Sequence, residues 1–141
     1  MPVSQQQPVP FSHKQHAPVA DCNLCHQKAS KGERAGLPAA AQCMLCHAGI
    51  KKDSPPIQTL AAFARDGKLV PWVRVYRIPD YVFFSHATHL EGKVECSACH
   101  GPVAEREILV KELPTDMKSC IDCHKARRAT VTCNACHELG Q

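Results

Sequence analysis

A chain of 141 residues with a net charge of +4 and only four Phe, two Tyr and one Trp holds too little aromatic and aliphatic material to bury a conventional core. Eleven prolines and seven glycines interrupt it at short intervals, and no stretch approaches the roughly 18 apolar residues of a membrane span. The compositional anomaly is ten cysteines beside nine histidines, and their placement decides the reading.

The N-terminus, MPVSQQQPVPFSH, lacks the basic start and apolar run of a secretory signal, so an export signal or anchor is expected to have been removed from a mature chain. Phe11–His16, FSHKQH, is followed by DCNLCH, then by the Gly- and Ala-containing loop KASKGERAGLPAAAQ and by QCMLCH. Residues 1–50 read as one module. Residues 51–80 carry no such motif. Within them SPPIQTLAAFARDG predicts a short helix, with Ser54 as cap, prolines in the first turn, Ile57, Leu60, Ala61 and Ala64 on one face, and Gly67 as terminator. KLVPWVRVYRIPDYVFF is bounded by prolines and alternates only loosely, which predicts extended chain rather than a paired strand. Residues 81–141 form a second module, opening on FSHATHLEGKVECSACH, a near copy of the first frame. Short helices are expected in GPVAEREILVKELP and in the run up to Ile121.

The cysteines fall in five Cys-x-x-Cys pairs, Cys22 and Cys25, Cys43 and Cys46, Cys96 and Cys99, Cys120 and Cys123, and Cys133 and Cys136. The next residue is always histidine: His26, His47, His100, His124 and His137. With His at about one residue in sixteen, five such coincidences have a probability of roughly one in a million, so the histidine belongs to the motif. A thioredoxin-like pair expects one motif beside a βαβ pattern, and five structural zinc knuckles neither pair evenly nor need the histidine. Covalent haem c explains each position. Two thiols at i and i+3 reach the two vinyl groups of one porphyrin edge, and the adjoining imidazole lies under the iron. The expectation is five covalent, thioether-linked haem c groups at about 28 residues each (141/5), and a fold of short helices and loops wrapped around them with little β structure. With so little polypeptide between them, the macrocycles must be close, and electrons should pass along them.

The charge balance includes these groups. Ten propionates and five oxidised irons add about −5, taking +4 to about −1, so the basicity of the polypeptide is no argument for nucleic acid. Arg74, Arg77, Arg127 and Arg128 read as propionate partners, solvated surface or a docking patch. Trp72, Tyr76, Tyr81 and Phe83 read as packing against haem faces rather than as electron relays.

Outside the motifs the histidines are His13, His16, His86 and His89, all within the repeated Phe-Ser-His-x-x-His frame. That frame ahead of closely spaced Cys-x-x-Cys-His sites resembles the class III cytochromes c, the small trihaem and tetrahaem proteins. The resemblance implies bis-histidine sites, with the first histidine of a frame serving the next haem and the second a different one: His13 with His26, His16 with His47, His86 with His100, and His89 with His124. In trihaem relatives the ligand of the remaining site precedes the second motif of the module, here LPTDMKSCIDCH, and the position holds Met117. Met117 is thus the candidate distal ligand opposite His137, since a thioether suits haem iron and raises its potential. Ordinary packing of Met117, a lysine such as Lys118 or Lys125, water, a partner side chain or an open site are the alternatives.

The order of QPVPFSHKQH, DCNLCH, AGLP, QCMLCH, PWVRVYRIPDYVFFSHATH, ECSACHGPV and MKSCIDCH also resembles the pentahaem cytochrome subunit of alternative complex III, over about Gln7 to Lys125. This implies a periplasmic electron carrier without catalytic activity of its own, relaying electrons from a membrane quinol-oxidising complex to a soluble cytochrome or other acceptor. That family is typically tethered by an N-terminal membrane helix, so the expectation is either that an anchor has been removed or that the same module serves as a soluble shuttle or in a different assembly. The other classes are a multihaem reductase or peroxidase with an open fifth haem, and a filament-forming extracellular cytochrome.

Overall fold

The computed structural model describes residues 5–138. Met1 and the outer ends of the first and third expected segments, 1–4 and 139–141, lie outside the described residues. Among the described residues the architecture is short helices joined by irregular chain, without a strand: α1 His13–His16, α2 Cys22–Cys25, α3 Ala40–His47, α4 Pro55–Arg65, α5 His86–Glu91, α6 Ser97–His100, a 3-10 turn at Val103–Glu105, α7 Met117–Ala126 and α8 Cys133–Cys136. Helices this short are not stable by propensity and must be held by what packs on them.

The longest, α4, forms as its sequence dictates. Pro55 and Pro56 occupy the first turn, where no N–H is needed. At the other end Lys68 N–H bonds to Phe63 O at 2.9 Å and Gly67 N–H to Ala64 O at 3.3 Å, with Gly67 at φ +64°, a Schellman closure that only glycine makes without strain. Ser54 stands at the cap position, but its side chain makes no capping bond. Leu60 is buried with Val9, Ala40 and Val70, and Ile57, Phe63, Ala64, Cys43, Met44 and Trp72 pack around them. This small cluster fastens α4 to α3, the helix of the second motif. The extended reading of residues 68–84 agrees with the backbone: instead of a strand partner, the Gln7 amide both donates to Val73 O and accepts from Val73 N, each at 2.8 Å.

The helix expected in GPVAEREILVKELP shrinks to the 3-10 turn. Tertiary bonds take its backbone groups instead. Arg106 O accepts from Lys14 N–H at 3.0 Å, Glu112 N–H donates to the Tyr76 hydroxyl at 3.3 Å, and the Arg106 guanidinium grips the Glu112 carboxylate. Gly101 starts the segment at φ +71°, and a Cβ there would meet Glu112 Oε2 at 3.2 Å.

Val9, Ala29, Ala40, Leu60 and Val70 are the buried hydrophobic residues among those described. A compact monomer of this mass exposes about 7,200 Å², whereas this chain exposes 10674 Å². Large apolar side chains in and near the motifs are exposed, among them Val19, Leu24, Leu37, Leu45 and Ile50.

Candidate haem-binding sites

Each Cys-x-x-Cys-His motif is one helical turn. His26, His100 and His137 donate their N–H to the carbonyl four residues back, Cys22, Cys96 and Cys133, at 2.9, 3.0 and 2.9 Å, while the second and fourth motifs lie within α3 and α7. One turn brings the two sulfurs, three residues apart, to the same side, with the imidazole one residue further along. That is the donor set covalent haem attachment needs.

Four of the five motifs pair one exposed with one partly buried cysteine, and the second alone shelters its first cysteine rather than its second. Cys43 is half-buried against the Leu60 cluster, whereas Cys46 is exposed and does not join that cluster. The reason is the pitch of α3. Cys43 and Met44 face the cluster together, and at about 100° per residue Cys46 stands roughly 110° round the helix from the direction midway between them. Its carbonyl still holds the helix end, accepting from Ile50 N–H at 2.9 Å. Among the described residues no three His, Cys, Asp or Glu side chains gather as a metal site.

The two frames fold alike. Ser12 Oγ caps α1 by accepting from Gln15 N–H at 3.2 Å, and Ser85 Oγ caps α5 by accepting from Thr88 N–H at 3.3 Å. His16 and His89 each place Nδ1 2.7 Å from the carbonyl of their own cap residue. Phe11 stacks on His16 with centroids 4.4 Å apart and meets His13 edge-on at 4.9 Å; Phe84 stacks on His89 at 4.4 Å and meets His86 edge-on at 4.8 Å. These phenylalanine clamps and serine caps are positioning residues that the sequence reading passed over, although their repetition in both frames was the available signal.

The histidines then come together in pairs from distant parts of the chain. His16 and His47 have ring centroids 6.1 Å apart, His89 and His124 6.2 Å, and His86 and His100 6.4 Å with their planes only 9° apart. Two metal–nitrogen bonds of about 2 Å, plus roughly 1.2 Å from each ring centre to its nitrogen, separate the centroids of an axial pair by about 6.4 Å. His13 lies near enough to His26 for the two to act on each other electrostatically. Burial first, then His26 and His16, lowers the His13 pKa; burial, then His86 and His26, lowers that of His100. Both effects favour the neutral, metal-binding imidazole.

Carbonyls orient most of the rings. Besides His16 and His89, Nδ1 of His26 lies 2.6 Å from Gly36 O, His47 2.9 Å from Ile50 O, His86 2.6 Å from Glu33 O and His137 2.9 Å from Tyr81 O, and His124 is paired with Thr130 O. A proton held on Nδ1 by a carbonyl leaves Nε2 as the free lone pair, the arrangement of metal-ligating histidines.

The fifth motif differs. The ring nearest His137 is Tyr81, at 6.0 Å and tilted by 33°, and the Tyr81 carbonyl is the Nδ1 partner. Met117 is the first residue of α7 and 61 % exposed, one helical turn before Cys120. Burial first, then Cys99 and Cys136, raises the Cys120 thiol pKa. Elsewhere too, after burial, neighbouring sulfurs raise one another: Cys22 acts on Cys25 and Cys96, Cys25 on Cys43, and Cys123 on Cys99. Of the aromatics, Tyr76 meets His100 edge-on at 4.5 Å and Trp72 joins the Leu60 cluster.

Residues 1–69 match the class III cytochrome c family, and residues 82–138 match the family of cytochrome c7 and related cytochromes c. The menaquinone reductase multihaem cytochrome c subunit of Nitratidesulfovibrio vulgaris is 40% identical over 108 residues, covering 74% of this chain and 50% of that protein. The chain thus spans about half the length of the curated relative it matches. Motif geometry, histidine pairing and both family matches meet in one conclusion: the chain belongs to the class III and cytochrome c7-type multihaem cytochromes c, electron-transfer proteins with covalently bound haem c.

Proposed function

We propose that the chain is a periplasmic relay of five haem c groups, a subunit or close partner of a membrane complex that reacts with quinones. The observation that carries it is the set of facing histidine rings at 6.1, 6.2 and 6.4 Å, each pair joining a frame histidine to a motif histidine. Haem c supplies one-electron exchange between ferric and ferrous iron. The chain's own residues do the rest. Cys22 and Cys25, Cys43 and Cys46, Cys96 and Cys99, Cys120 and Cys123, and Cys133 and Cys136 would anchor the macrocycles. His26, His47, His100, His124 and His137 would hold the proximal faces. His13, His16, His86 and His89 would hold four distal faces, leaving Met117 for the fifth. Two fixed protein ligands at each iron suit a carrier, which needs little rearrangement between oxidation states and no open position for substrate.

Resemblance to alternative complex III supports flow outward, from quinol to an external acceptor. The relative's name supports a second reading, flow inward to menaquinone. The whole-protein mass of the holoprotein counts attached haems; five are expected, and four or fewer refutes the count. Membranes carrying the complex separate the directions: outward flow reduces the haems on adding a menaquinol analogue, whereas inward flow reduces menaquinone from a prereduced soluble cytochrome. If the haems respond to neither, the relay reading fails. For the fifth site, a thioether-to-iron charge-transfer band that disappears in Met117→Ala is expected; an unchanged spectrum overturns that ligand. A high-spin signal that shifts with cyanide would instead indicate an open, reactive iron.

A further inference from the structure

The two modules are not laid end to end. Each frame docks on the chain just beyond the other module's first motif. Lys14 N–H in α1 bonds to Arg106 O at 3.0 Å, six residues after His100, and the Gln15 amide reaches Glu107 at 3.3 Å. Reciprocally, His86 N–H bonds to Glu33 O and Ala87 N–H to Gly32 O, both at 3.1 Å, seven and six residues after His26, and Glu33 O also holds the His86 ring. This exchange sets the first and third motifs against each other, with the Cys96 thiol beside Cys22.

Other bonds attach the remaining motifs outward from that junction. Gln42 Nε2, at the head of the second motif's helix, donates to Leu24 O inside the first motif. Arg127 at the end of α7, which carries the fourth motif, reaches Gly92 O, just ahead of the third. Phe83 N–H donates to Cys136 O at 2.7 Å and the Tyr81 carbonyl holds His137, so the fifth motif sits on the approach to the second frame. That same frame faces the fourth motif, His89 and His124 having ring centroids 6.2 Å apart, and burial first, then Cys99 and Cys136, raises the pKa of the fourth motif's Cys120.

We propose that the five motifs are strung in the spatial order second, first, third, fourth, fifth, with the first and third in contact at the centre and the second and fifth at the two ends. The inference rests on the five-haem reading and goes beyond it: sequence order is not path order. The second and third motifs, consecutive in sequence, are separated in space by the first, because the 51–80 connector carries the chain back past α3 rather than onward. Partners would then exchange electrons at the second and fifth sites.

Anomalous diffraction at the iron edge from crystals of the holoprotein tests this, each iron being identified by the cysteines that anchor its haem. The expected result is an unbranched line in which the first and third irons are nearest neighbours across the module boundary. A second iron closer to the third than the first is, or a first iron at an end of the line, overturns the order. Fewer than five iron peaks instead overturns the haem count, and the order of those present is still read from the same map.

Discussion

The two frames are nearly superimposable in their own geometry, yet they stand in different surroundings. Around the first, Val9, Ala40, Leu60 and Val70 form a side-chain core, and Phe11 is backed by Trp72 at 6.5 Å. Around the second, none of the buried hydrophobic residues falls within 81–138, and the chain after α6 is held by polar contacts such as Tyr76 to Glu112 and Arg106 to Glu112. The lesson is that a repeated ligand frame does not carry its support with it. The first half owes part of its order to its own side chains, whereas the second must derive nearly all of it from covalent cofactors and from the first half.

The largest effect that would break this contrast is on the chain made without haem attachment. Amide hydrogen exchange is expected to find 81–138 unprotected and residual protection only near Leu60 in α3 and α4; equal protection in both halves would end the comparison. Next, Leu60→Ala should destabilise the holoprotein by about 2–5 kcal/mol, seen in denaturant unfolding, with the low-spin haem spectrum unchanged because no ligand is touched. Phe84→Ala should free His86 and His89 more than Phe11→Ala frees their counterparts, read as a larger high-spin EPR signal. Ser12→Ala and Ser85→Ala should each cost about 1 kcal/mol, and a clearly larger loss at Ser85 would sharpen the asymmetry. The smallest effect is on α7. The Ser119 hydroxyl and N–H hold the Asp116 carboxyl below its usual range, so its stabilisation is present above the unfolded value of about 3.9 and lost as pH falls through the lower folded value. Asp116→Asn should keep the cap but abolish that pH dependence of unfolding.

What the sequence made legible is what its chemistry states locally. The cysteine spacing implies a helical turn, Gly67 a helix end, and prolines at 55 and 56 a helix start, and all three appear as expected. Three of the four frame-and-motif histidine pairs stand with ring centroids 6.1, 6.2 and 6.4 Å apart, frame and motif each being short local structures. What was not legible depends on distant backbone and on packing. Residues 101–114 read as helical, but the Arg106 carbonyl and the Glu112 N–H are taken by Lys14 and Tyr76, which no local window contains. That Cys43 rather than Cys46 is the sheltered cysteine of its motif follows from where α4 lands on α3, which the shared spacing does not encode. The docking of each frame on the other module, and the Glu33 carbonyl under His86, are likewise long-range.

Seven of the nine histidines lean on a main-chain carbonyl, at Ser12, Gly36, Ile50, Glu33, Ser85, Thr130 and Tyr81. Such acceptors have no side chain to lose. Point mutation at those positions can change almost everything about the residue except the oxygen that sets the imidazole's basicity, and through it the potential of whatever metal the ring holds. Electronic tuning is therefore written in the course of the backbone rather than in residue identity, and a lineage can rewrite the surface of such a protein for new partners while the voltage of its interior stays where it was.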